Sequence, residues 1–138
     1  MTMEIGTTGM ASLVVDGGDL ATVLNQVAGD DFPPVLATAR MIGLMELAAS
    51  RAMHAALAAG EVSVGVSIDV THGAATPVGV TVTAEARLTA REGKLFVFQV
   101  VARDSGGEVG RGTHKRAIVS SARLLQGAQR RCDNGQGA

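Results

Sequence analysis

The sequence predicts an α+β fold in which one long helix packs on an antiparallel β-sheet. Three observations carry this. Residues from about Thr38 to Ala58 are rich in Ala, Leu and Met, all strong helix formers. From Val62 onward the hydrophobic period changes from helical to two. The strands that follow are separated by short Gly-containing turns, which favours antiparallel neighbours and leaves one helix to cover one face. At 138 residues the chain is one domain's length. The expected domain spans residues 1–126, with 127–138 a polar, disordered tail.

Taken in order, residues 1–9 are expected to fray. Leu13 to Val15 read as a short strand stopped by Asp16-Gly17-Gly18. Asp19 then caps a short helix through Val27. Gly29 to Pro34 form a loop, because paired prolines remove backbone donors and fix φ. The long helix follows, and Gly60 ends it.

Val62, Val64, Val66, Ile68 and Val70 alternate with smaller or polar residues, as in a half-buried strand. Gly73 to Gly79 form a loop. Val80 to Ala90 are the next strand, and Arg91-Glu92-Gly93-Lys94 a hairpin turn with Gly93 able to take positive φ. Leu95 to Arg103 are apolar on both parities, which predicts a central strand covered on both faces and, through that cover, a dimer. Ser105-Gly106-Gly107 turn the chain into a last strand, Val109 to Arg123. Four consecutive strands joined this way predict a meander.

Composition excludes several functions. A net charge of −1 leaves no electrostatic footprint for nucleic acid. With no Trp, no Tyr and three Phe, there is no platform for base stacking. Charges interrupt every apolar run well short of a membrane span. The first residues lack the basic flank and apolar core of a signal peptide, so a cytoplasmic location is expected. The one cysteine, Cys132, lies in the polar tail and excludes an intrachain disulfide. The three His are scattered without metal-ligand spacing, so no metal is expected.

Glu46 stands out as a carboxylate on the apolar stripe of the long helix, with Ile42, Gly43, Ala49 and Ser50 as its helical neighbours. A carboxylate so placed needs partners or a task. Read plainly, it sits at the stripe's edge and reaches water. His72 ends the alternating strand and, if that strand has no bulge, shares its apolar face; the plain alternative is a histidine bonded to backbone. Thr38 starts the long helix and reads equally as a capping residue. It lies about 12 Å along the helix from Glu46, so a direct contact is not expected. His114 and Arg116 share one face of the last strand and offer an anion contact, whereas Lys115 faces the other way to solvent.

The segment Phe32-Pro33-Pro34-Val35-Leu36-Ala37-Thr38-Ala39-Arg40-Met41-Ile42-Gly43-Leu44-Met45-Glu46 closely resembles the fluoroacetyl-CoA thioesterase family. So do Val70-Thr71-His72 with the Ala-Ala-Thr-Pro-Val-Gly that follows, and Gly110-Arg111-Gly112-Thr113-His114-Lys115-Arg116-Ala117. Order and spacing hold from about residue 32 to 120.

The resemblance implies a hot-dog fold working as a homodimer, an acyl-CoA substrate and no cofactor besides the coenzyme A of that substrate. It implies a catalytic set of Thr38, Glu46 and His72 at the dimer interface, with Glu46 and His72 open to coming from different subunits. It implies substrate contacts from Phe32, from the backbone of Gly65 and from Arg116. Gly29 and Leu47 stand where the family carries aromatics, so the implied substrate is a small or medium acyl thioester generally. A non-catalytic ligand-binding protein and a hydratase on the same scaffold are the alternatives.

Overall fold

The structure is a computed structural model that describes residues 3–136. A five-stranded antiparallel sheet wraps one long helix. The strands are β1 (Thr8–Val14), β2 (Glu61–His72), β3 (Thr81–Glu92), β4 (Leu95–Asp104) and β5 (Gly107–Ser120), in the order β1-β3-β4-β5-β2. Helix α1 (Thr38–Met53) lies on one face, and α2 (Ser121–Gln136) follows β5. Among the described residues no helix is long and apolar enough to cross a membrane.

The core forms where α1 meets the inner face. Met41, Leu44, Met45, Ala48, Ala49 and Met53 are buried on the helix; Val82, Ala84, Ala86 and Leu88 face them from β3, and Phe98, Val100 and Ala102 from β4. The many alanines let helix and sheet approach closely. At Gly9 on β1, a Cβ would collide with the Ala48 carbonyl and fall 2.6 Å from the Ala52 amide. β4 is central in the sheet, as its two-sided apolar pattern predicts. Gly93 takes φ +57° in the hairpin between β3 and β4.

The structure differs from the sequence reading in five places. β1 starts at Thr8 rather than Leu13, and Gly6 N–H already bonds the Leu88 carbonyl at 2.8 Å. Its side chains give little signal because Ala11 is the one buried residue of this edge strand.

The expected helix from Asp19 to Val27 is two short 3-10 turns, Gly17–Asp19 and Ala21–Leu24. The backbone there pairs with the approach to α1, Ala21 N–H on the Val35 carbonyl and Ala37 N–H on the Asp19 carbonyl, and so cannot close a helix on itself.

α1 ends at Met53, short of Ala58, and a 3-10 turn at His54–Ala56 follows. The Glu61 carboxylate accepts the Ala58 amide at 2.8 Å and turns the chain toward β2.

The meander holds for β3-β4-β5 only. β2 pairs with β5 and forms an edge. Local periodicity carries no information on that long-range pairing.

Finally, the last strand stops at Ser120 rather than Arg123, and Ser121–Gln136 are helical, reaching into the stretch from residue 127 that was expected to be a polar tail. This helix is exposed from Ala122 to Gly135, and Gln129 supports it by donating to Asp133 at 2.8 Å.

Candidate functional site

The residues singled out by sequence form two clusters. In the first, Thr38 Oγ1 is hydrogen-bonded to His72 Nδ1 at 2.8 Å. Thr38 is free to do this because it does not cap α1: the N-cap is Ala37, which offers no side-chain bond. His72 Nε2 is buried and has no partner among the described residues.

An apolar cavity of about 350 Å³ opens here, lined by Leu24, Phe32, Leu36, Thr38, His72 and Ala74. Its walls are tied to the framework. Arg40 bonds Asp19 at 2.8 Å, Leu36 N–H reaches the Thr76 carbonyl at 2.9 Å, and the buried Thr76 hydroxyl donates to Asp104 at 2.8 Å. Sequence reasoning did not find Thr76 or Asp104. Thr76 is an ordinary loop residue and Asp104 an ordinary strand-end residue until the fold brings the loop after β2 against the β4–β5 hairpin.

The second cluster centres on Arg116, which is 5% exposed. Its Nη1 donates to Glu46 Oε2 and to His114 Nε2, both at 3.1 Å. Its Nε donates to Ser63 Oγ at 3.1 Å and its Nη2 to the Ser63 carbonyl at 2.9 Å. The expected anion contact is therefore already made inside the chain, to Glu46. The Glu46 side chain is 45% exposed, and among the described residues its Oε1 has no partner. A carboxylate anchored by one oxygen and open at the other suits attack or proton abstraction. Gly65 completes the cluster. A Cβ there would lie 2.8 Å from Glu46 Oε2, so the glycine makes room for the carboxylate.

A bulge at Val66 separates the clusters. Before it Ser63 and Gly65 face the helix; after it Ile68 and Val70 do. The stripe from Val62 to Val70 is thus not one face, and Val66 is exposed.

Within one chain Glu46 and His72 do not meet. Glu46 touches Gly65, which is seven residues from His72, roughly 20 Å along β2. Phe32, half exposed, borders the Thr38 cluster. Among the described residues no group of three or more His, Cys, Asp or Glu is placed to hold a metal ion.

Burial holds the His114 imidazole below its ordinary value of 6.5; the Ser67 carbonyl opposes this, Arg116 adds to it and Glu46 opposes it. The unfolded chain therefore takes up a proton at a pH where the folded chain does not. Stability is expected to be full above about pH 6.5 and to fall as pH drops through the window below it. Denaturant midpoints measured from about pH 8 to pH 5.5 check this, and His114→Gln should flatten that part of the curve. The depressed carboxylates of Asp19, Asp30 and Glu108 act only below about pH 4.5.

The model of the family described as FlK, fluoroacetyl-CoA-specific thioesterase, matches residues 19–122. The chain belongs to the fluoroacetyl-CoA-specific thioesterase family. It is 51% identical over 89 residues to the fluoroacetyl-CoA thioesterase of Streptantibioticus cattleyicolor, a match spanning 64% of each chain.

Among solved structures, a point variant of the fluoroacetyl-CoA-specific thioesterase in complex with fluoroacetate and CoA superposes with a TM-score of 0.82 at 40% identity, covering 88% of this chain and 99% of that one. A hot-dog-like protein from Thermanaerovibrio acidaminovorans superposes with a TM-score of 0.79 at 28% identity, covering 92% and 91%. The helix wrapped by an antiparallel sheet is a hot-dog fold.

Proposed function

We propose that this chain is an acyl-CoA thioesterase of the cytoplasm whose active site is assembled by two copies. The observation that carries this is the division of the catalytic set. Thr38 and His72 form one half-site at the C-terminal end of the edge strand β2, and Glu46 with Gly65 and Arg116 the other, seven residues earlier along it. Antiparallel pairing of β2 with a second β2, about a two-fold axis near Ile68, sets the Gly65 end of one beside the His72 end of the other. Each homodimer then holds two complete sites.

The chemistry follows from the free atoms. Glu46 Oε1 attacks the thioester carbon, expelling the thiolate and forming an anhydride that water then hydrolyses, or it deprotonates a water that attacks the same carbon and gives the free acid directly. When Thr38 donates its hydroxyl proton to Nδ1, the His72 proton sits on Nε2. From there the partner subunit's His72 stabilises the oxyanion or protonates the leaving thiolate. The Gly65 backbone amide serves as a second donor, a role the family resemblance supports. The apolar cavity bordered by Phe32 receives the acyl group, small or medium in size because Gly29 and Leu47 stand where the family carries aromatics. Coenzyme A enters as part of the substrate, and the reaction requires no other cofactor.

Thiol release from a panel of acyl-CoAs, acetyl and fluoroacetyl through octanoyl, tests this reading. Hydrolysis well above the enzyme-free rate is expected for at least one member. Binding without release from any of them would contradict it, and hydration of crotonyl-CoA faster than its hydrolysis would replace it with a hydratase.

A further inference from the structure

We propose that His114 is a positioning residue of the Glu46 half-site: a neutral imidazole, locked in one tautomer, that holds the Arg116 guanidinium against the Glu46 carboxylate. The inference rests on the thioesterase reading only for its kinetic consequence; the geometry stands apart from it.

His114 is 1% exposed and has two contacts. Nε2 faces Arg116 Nη1 at 3.1 Å, and Nδ1 faces the Ser67 carbonyl at 2.9 Å. A guanidinium has donors and no acceptors. Nε2 must therefore present its lone pair, and the ring proton sits on Nδ1, donated to Ser67.

The Ser67 carbonyl follows the bulged Val66, where the β2–β5 register shifts. The bulge thus supplies the acceptor that fixes the tautomer, and the tautomer supplies the acceptor that fixes Arg116. The charged groups facing the ring are Glu46 from α1 and Arg116 from β5. β2 and β4 present Gly65, Ile68 and Phe98 beside it, none of which titrates. The same Nη1 that His114 accepts from donates to Glu46 Oε2. Without the ring nitrogen, that Nη1 loses one of the two acceptors that orient it.

Two substitutions separate this role from packing. In His114→Asn the amide group can replace Nδ1 toward Ser67 but does not reach Arg116. In His114→Gln the longer side chain places an amide oxygen near the Nε2 position.

The readouts are the 15N shifts of the His114 ring, the separate Nη resonances of Arg116, and kcat and KM on the best acyl-CoA of the panel. An unprotonated Nε2 near pH 7.5 and resolved Arg116 Nη signals are expected in the wild type. In His114→Asn those signals should merge, and kcat should fall roughly tenfold with KM within about twofold. His114→Gln should recover most of both losses.

A protonated Nε2 would overturn the proposal, as would Asn and Gln variants that behave alike. If the wild type releases no thiol yet Arg116 responds to Asn and not Gln, the positioning role stands and the hydrolase reading fails. If the wild type hydrolyses substrate and Arg116 ignores both changes, the positioning role alone fails.

Discussion

Glu46→Gln is expected to lower kcat for thioester hydrolysis by a factor of roughly 10²–10⁴, with the fold intact. The amide oxygen of Gln still accepts from Arg116 Nη1, so the side chain keeps its place. It neither attacks a carbonyl carbon nor removes a proton from water. Arg116 is nearly buried and loses its countercharge, but half of the Glu46 side chain already meets solvent. The cost in stability should therefore stay at about 1–2 kcal/mol, below that of breaking a fully buried pair. Circular dichroism and a thermal melt establish folding, and thiol release reads the rate. A Gln variant keeping more than about a tenth of wild-type kcat would remove Glu46 from the chemistry.

Gly9→Ala should produce a large loss of stability for a single-methyl addition. The added Cβ meets the α1 backbone at Ala48 and Ala52, and backbone cannot rotate away as a side chain can. Either α1 lifts from β1 or β1 leaves the sheet edge. Overpacking of this kind costs about 3 kcal/mol, which lowers the melting temperature by on the order of 10 °C in a domain of this size. Gly17→Ala is the control, since nothing lies within 4 Å of a Cβ at that position. A Gly9→Ala melt within about 2 °C of wild type would mean that the helix has room to move.

Much of the fold is legible from residue order alone. α1 declares itself by composition, the β3–β4 turn by Gly93, and central β4 by apolar residues on both parities. What is hidden arises from contacts distant in sequence. The alternation Val62, Val64, Val66, Ile68, Val70 continues unbroken through the bulge, so the change of face at Val66 leaves no mark in hydrophobicity. The signal that does exist is steric: Ser63 and Gly65 are small because Arg116 and Glu46 occupy the space above them.

The site shows the same division. Glu46 and His72 are visible as polar groups on apolar faces, Thr38 as a polar residue at the helix start, and Arg116 as a cation sharing a strand face with His114. That they sort into two clusters depends on β2 pairing with β5 and lying at the edge, and no local pattern states that. His114 shares a face with Arg116 in the sequence; only the packing of α1 over that face reveals that both are buried and bonded to each other.

The most direct test of the shared site is a mixed dimer. Glu46→Gln and His72→Ala chains carrying different affinity tags are co-expressed, and the heterodimer is isolated through both tags. Each homodimer should be inactive. In the heterodimer, one site pairs the intact Glu46 of the His72→Ala chain with the intact His72 of its partner, and about half of wild-type kcat should return. A pure heterodimer as inactive as its parents would contradict a site divided between two chains.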